Sequence, residues 1–106
     1  MAVIYIVRDQ VDFSDQPAPI WLGESVTITT YPGTYYRWET PPGRHTISGF
    51  GPDSGSIQLT ARAGEMHFVL QRHIRGFFPF PQSRFQLLNP SDGRAAVMRS
   101  ELIGGR

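Results

Sequence analysis

Residues 2–7 read Ala-Val-Ile-Tyr-Ile-Val, an unbroken β-branched and aromatic run with no polar face. That pattern predicts a central strand covered on both sides, ended by Arg8-Asp9-Gln10. Residues 11–19 are polar and acidic around Phe13 and reach Pro17 and Pro19, which reads as an irregular crossing. Ile20-Trp21-Leu22, a turn at Gly23-Glu24-Ser25 and the β-branched residues 26–30 predict a hairpin. After Tyr31-Pro32-Gly33 the chain extends again over residues 34–40, with Tyr36 and Trp38 on one face and Tyr35, Arg37 and Glu39 on the other. Pro41-Pro42-Gly43 then forces a turn, because proline has no donor for a ladder, and residues 44–49 read as the return strand.

Residues 50–55 are turn-forming. In residues 56–62 Ile57, Leu59 and Ala61 share one face and Ser56, Gln58 and Thr60 the other. Ala63-Gly64 separates this run from residues 65–73, whose apolar face is Met66, Phe68 and Leu70 and whose polar face holds Glu65 and His67; the two runs predict an antiparallel pair. An aromatic loop follows at residues 75–81, Arg-Gly-Phe-Phe-Pro-Phe-Pro, and then a strand at 83–88. Asn89-Pro90-Ser91-Asp92 is a helix start, and Ala95, Met98 and Leu102 recur at helical spacing. A final strand over residues 95–100 is the rival, since Gly93 is awkward inside a helix. Residues 104–106 are expected to be loose. The expected fold is mainly β: a small β-sandwich, or a partly open barrel, of about seven to eight short strands with a possible short C-terminal helix, as one domain over 1–106.

Composition narrows the function classes. With 106 residues, 40% hydrophobic and 18% charged, the chain has material for one packed core. All ten basic residues are arginine: three against six acids in residues 1–55, seven against three in residues 56–106. Arginine suits bidentate phosphate pairing, but the charge total is small for a nucleic-acid backbone binder, and no nucleic-acid partner is expected. The absence of cysteine removes disulfides and thiolate chemistry. No run approaches the roughly 20 apolar residues of a membrane-spanning helix. With no basic-then-apolar leader, two locations fit: the cytoplasm, or a mature domain supplied without its export signal.

No catalytic, cofactor-binding or metal-binding set emerges. His67 and His73 share a face of one strand but stand roughly 20 Å apart, and His45 just after the tight turn suits local hydrogen bonding. The aspartates at 9, 12 and 15 lack a calcium-loop pattern. No serine occupies a Gly-x-Ser-x-Gly elbow, and the Gly-rich 49–55 segment lacks the Lys-Ser or Lys-Thr of a phosphate loop. What remains is a possible interaction surface: Tyr35 and Arg37 on the non-core face of their strand, with Arg75, Phe77, Phe78 and Phe80 of the aromatic loop, which either contacts a partner or folds back as a plug. Trp21, Tyr35, Tyr36 and Trp38 also raise sugar stacking, with sheet packing as the ordinary explanation.

The ordered set of residues 2–8, Gly33-Thr-Tyr-Tyr-Arg-Trp38, Pro42-Gly-Arg-His-Thr-Ile47 and Ala63-Gly-Glu-Met-His-Phe-Val69, with Gly93 and Leu102 following, resembles the DUF2846 family over nearly the whole chain. The chain departs from it in lacking a signal segment and a lipobox cysteine, and in Leu22-Gly23-Glu24. The resemblance implies a small mainly β domain of bacterial exported proteins or lipoproteins, without an established catalytic role. The leading expectation is therefore a non-enzymatic structural or interaction module associated with the cell envelope and envelope proteins. A ligand- or glycan-binding module and a small hydrolase are the alternatives.

Overall fold

The computed structural model describes residues 1–9, 17–50, 55–75 and 81–103. Among them are nine strands and one helix: β1 Ala2–Arg8, β2 Ala18–Leu22, β3 Val26–Thr30, β4 Thr34–Thr40, β5 Gly43–Gly49, β6 Ser56–Ala61, β7 Met66–Arg75, β8 Pro81–Leu88, α1 Pro90–Met98 and the two-residue β9 Glu101–Leu102. They form a five-stranded sheet, ordered β8-β7-β1-β4-β9, and a four-stranded sheet, ordered β3-β2-β5-β6. The two sheets face each other without closing into a barrel, which settles the choice between sandwich and barrel.

β1 is the middle strand of its sheet, antiparallel to β4 and parallel to β7. Its even positions Ala2, Ile4 and Ile6 meet Ile20, Leu22, Ile47, Leu59 and Ala61 of the opposite sheet and Val69 of β7 in one core, with Tyr36, Trp38, Ile28, Ile57 and Phe85 packed around it. Side chains alternate across a strand, so the odd positions Val3 and Tyr5 emerge on the other face of the same sheet. Both faces of β1 are occupied, as its unbroken apolar run predicts. Arg8 is part of the strand and not of the break after it: it is the last residue of β1 and is fully buried.

The fold departs from the sequence reading in three places, two of them in strand pairing. The β2–β3 hairpin forms, with Leu22 opposite Val26. The strand, Pro-Pro-Gly, strand order also holds, but β4 and β5 are not ladder partners: β4 pairs with β1 and β9, β5 with β2 and β6. Two prolines without N–H groups cannot extend the β4 ladder, and Gly43 at φ 135 turns the chain into the second sheet. β6 and β7 likewise lie in different sheets, so the expected antiparallel pair does not exist. Finally, the 67, 69, 71, 73 face of β7 is the one turned into the sandwich, with Val69, Gln71 and His73 buried. Phe68, on the other face, is buried as well, so the alternation of β7 does not separate core from solvent.

The tail is a helix. Asn89 caps it, its Oδ1 accepting the Asp92 N–H at 2.8 Å, and Pro90 supplies the first turn. The helix does not bury the expected Ala95 and Met98, which are exposed; it buries Gly93 and Ala96, its smallest positions. Gly93 is what allows the approach, because a Cβ there would lie 2.5 Å from Phe68 Cβ and closer still to Cγ. After the helix, the Glu101 and Ile103 N–H groups bond Gly33 O (2.9 Å) and Tyr35 O (2.8 Å), so β9 lies parallel beside β4. The Arg99 guanidinium donates to both Asp9 carboxylate oxygens (3.1 and 2.9 Å), and that pairing raises its pKa above the ordinary value. Replacing Asn89 by alanine is expected to lower stability by about 1 kcal/mol, the usual worth of such a cap, measured as a shift in urea midpoint with unchanged slope.

Candidate functional site

α1 covers only part of the outer face of the five-stranded sheet. Beside it lies an open groove of about 420 Å³, lined by Tyr5 of β1, Met66 and Phe68 of β7, and Arg94, Val97 and Met98 of α1. The sequence folds this way because Gly93 and Ala96 draw one side of the helix onto Phe68, while Arg94, Val97 and Met98 are left on its flank. The floor is aromatic. Tyr5 stacks on Phe68, its neighbour in the parallel register, with ring centroids 5.3 Å apart and planes at 11°. The walls are methionine. Met98 is 86% exposed and Met66 47% exposed, two of the large apolar side chains this chain leaves in solvent, brought to one place from residues 32 positions apart (98 − 66). Methionine is unbranched and polarizable and adapts to irregular partners. Arg94 is the one charged residue of the lining, and it has no ion pair or hydrogen bond among the described residues.

Tyr35 and Arg37 border this arrangement through Tyr5. Arg37 is directly opposite Tyr5 in the β1–β4 ladder, and the Tyr35 ring is 5.9 Å from that of Tyr5. The Arg37 pKa is raised, first by its hydrogen bond to Tyr5 and then by Glu39 at 3.4 Å, against some desolvation. Both guanidinium and carboxylate are exposed, so this ion pair adds little stability. The structure thus places Tyr35 and Arg37 next to the groove without making them part of its lining. Phe77, Phe78 and Phe80 lie outside the described residues, as does the side chain of Arg75, whose backbone ends β7 opposite Pro81. Met66, Phe68, Arg94, Val97 and Met98 were missed as a set. Met98 was legible only as a helix position, and nothing in the period of α1 says that its glycine side would be the buried one.

A second polar arrangement lies where β1 finishes. Arg8 Nη1 donates to Thr30 O (3.1 Å) and Nη2 to His73 Nδ1 (3.2 Å). Arginine has no acceptor, so His73 Nδ1 carries the lone pair. The Thr30 hydroxyl has one proton and is 2.7 Å from Gln71 Oε1, against 3.2 Å from Ala18 O, so Gln71 is its better acceptor; Gln71 Nε2 in turn donates to Ser83 Oγ at 2.9 Å. Arg8, Thr30, Gln71, His73 and Ser83 are all buried, and no buried side-chain nitrogen or oxygen among the described residues lacks a partner. Since Thr30 belongs to one sheet and the other four residues to its neighbour, this network clamps the two sheets together.

The remaining sequence candidates do not converge. His45 Nε2 donates to Pro41 O at 2.7 Å, and its ring meets Trp38 edge-on, so it fastens the corner between the sheets. His67 Nε2 accepts the Arg62 N–H at 3.1 Å. No group of three His, Cys, Asp or Glu side chains is placed to hold a metal among the described residues. Tyr36 and Trp38 pack against the core, Tyr35 faces outward beside Tyr5, and Trp21 stacks on Phe50 at 5.1 Å on the other sheet, so the four rings considered for sugar stacking form no common platform. No helix of the described residues is long and apolar enough to cross a membrane. No family model matches the chain, and neither a curated protein nor a solved structure matches it.

Proposed function

We propose that this domain is a non-catalytic interaction module whose groove beside α1 receives an apolar segment of a partner protein. The observation that carries the reading is the meeting of exposed Met66 and Met98 over the Tyr5–Phe68 floor. Large side chains of this kind are normally covered, and a contiguous exposed apolar surface with a charged rim is a mark of a docking site. Half-open walls favour a protein segment over an enclosed small molecule, which a pocket would bury almost completely. An apolar face laid into a methionine-lined groove is a recurrent way of binding amphipathic segments, and Arg94, without an ion pair among the described residues, would favour those carrying a carboxylate beside their apolar anchor. The DUF2846 resemblance adds the cell envelope as the place where that partner would be found.

Met98→Glu tests this directly. Met98 is so exposed that the substitution should leave the urea midpoint unchanged. Tagged full-length protein is recovered from its native cells, separately from soluble and envelope fractions. Wild type is expected to bring down a stoichiometric partner, and the variant to lose at least about tenfold of it, the effect of some 1.4 kcal/mol at a hot spot. Equal partner recovery with both proteins, or no reproducible partner with wild type, contradicts the proposal.

A further inference from the structure

We propose that β3 is a pairing edge for a second copy of this chain, joining two four-stranded sheets into one continuous sheet. The argument starts from hydrogen-bond phase. Gly23 N–H bonds Thr46 O at 2.8 Å, so the backbone groups of Gly23 and, two residues earlier, Trp21 point toward β5. Those of Leu22, Ile20 and Ala18 therefore point the other way, toward their partners Val26, Ile28 and Thr30. In β3 the alternate residues Thr27 and Thr29 direct N–H and C=O away from β2, out of the sheet. No hydrogen bond to either residue's outward groups is formed by the described residues.

The other edges are managed. β6 runs beside β8, tied through Gly55 N–H to Ser83 O at 2.8 Å; β8 opens on Pro81 and carries Arg84; β9 is two residues long. β3, by contrast, reads Val-Thr-Ile-Thr-Thr, with no charge, proline or glycine to block pairing. Its pattern is also self-complementary. A twofold axis at Ile28 sets Thr27 of each copy opposite Thr29 of the other, which pairs all the outward N–H and C=O groups of both residues in antiparallel geometry. Ile28 then meets its own counterpart and Val26 meets Thr30, so like faces stay together, and threonine and β-branched cross-strand pairs are favourable. Val26 and Tyr31, 40% and 48% exposed, lie at the ends of the new contact. A five-residue edge covers less than the roughly 1,000 Å² of a stable interface, so the dimer is weak and concentration-dependent. It would present two grooves, one per copy, and so bind a repeated partner with avidity.

Sedimentation velocity on the full chain up to about 1 mM is expected to show the monomer mass rising toward twice its value, with amide exchange at Thr27 and Thr29 slowing in step. Thr29→Pro removes one outward donor at a position where an edge strand tolerates proline, and should stay monomeric over the same range with an unchanged circular dichroism spectrum. If that variant does not fold, the double substitution Thr27→Lys, Thr29→Lys replaces it, since both side chains are exposed. A single monomer mass for wild type at 1 mM overturns the proposal. So does a dimer that persists in a folded variant, or one that leaves the Thr27 and Thr29 amides unprotected. These readings are independent of the groove, whose residues the variants do not touch.

Discussion

Gly93→Ala is expected to destabilise the domain by about 2 kcal/mol, measured as a lowered urea midpoint, although alanine is ordinarily the better residue inside a helix by about 1 kcal/mol. The sign reverses because of what the new methyl meets. Its Cβ would be 2.5 Å from Phe68 Cβ and 2.6 Å from Cδ2, and the clash is with the root of the side chain rather than a flexible tip. Phe68 cannot swing away, since its ring is stacked on Tyr5 and it is 4% exposed. The helix must lift from the sheet instead, deforming the groove along with the packing. Combining Gly93→Ala with Phe68→Leu should cost less than the sum of the two single changes, because the smaller side chain relieves the clash; strict additivity in that cycle would remove the close contact as the cause.

The second large effect is at Arg8. Arg8→Met retains much of the apolar stem but leaves Thr30 O and His73 Nδ1 without the donors they now have inside the sandwich. Hydrogen bonds made by a charged donor are worth about 1.5–3 kcal/mol each, so a loss of about 3 kcal/mol is expected from urea unfolding. Thr30→Val, which removes the hydroxyl donated to Gln71 Oε1, should cost about 1–2 kcal/mol. Arg8→Lys should recover only part of the loss, because a single ammonium lacks the planar fork that reaches both acceptors. An Arg8→Met variant as stable as wild type would show that the network does not clamp the sheets.

Strand positions were legible because their signals are local. The β-branched run of residues 26–30, the alternation of Ile57, Leu59 and Ala61, and the prolines at 41 and 42 each act within a few residues, and all became strands or breaks where expected. Pairing was not legible in the same way. Period-two alternation says which residues share a face and nothing about which strand lies beside them, so β4 with β5, and β6 with β7, read as neighbours when each pair divides between sheets. Burial on both faces hid more. His67, Val69, Gln71 and His73 look like the solvent side of β7 by polarity, yet Gln71 is fully buried, stabilised by partners 41 and 12 residues away. Arg8 gave no sign either, since a charged residue after an apolar run is the usual mark of a strand end.

Tyr35 and Arg37 read as the non-core face of β4 because side chains alternate along a strand, and the structure puts both against Tyr5. The groove itself depends on a helix–sheet contact between residues 68 and 93, which no periodicity reports. In sequence Gly93 reads as an obstacle to a helix, whereas in the fold it is the residue that lets the helix dock. An interior helical glycine whose neighbour Ala96 shares its face is the signal that could have revealed this.

The groove is the central claim, and methionine oxidation footprinting tests it most directly. The chain has three methionines, and Met1, 65% exposed and outside the lining, is an internal control beside Met66 and Met98. In the isolated protein all three should oxidise, Met98 readily. On addition of soluble and envelope extracts of the native cells, protection of Met66 and Met98 together, with Met1 unchanged, is the predicted result. Oxidation of Met66 and Met98 at undiminished rates in every extract, or equal protection of Met1, would contradict a partner seated in the groove.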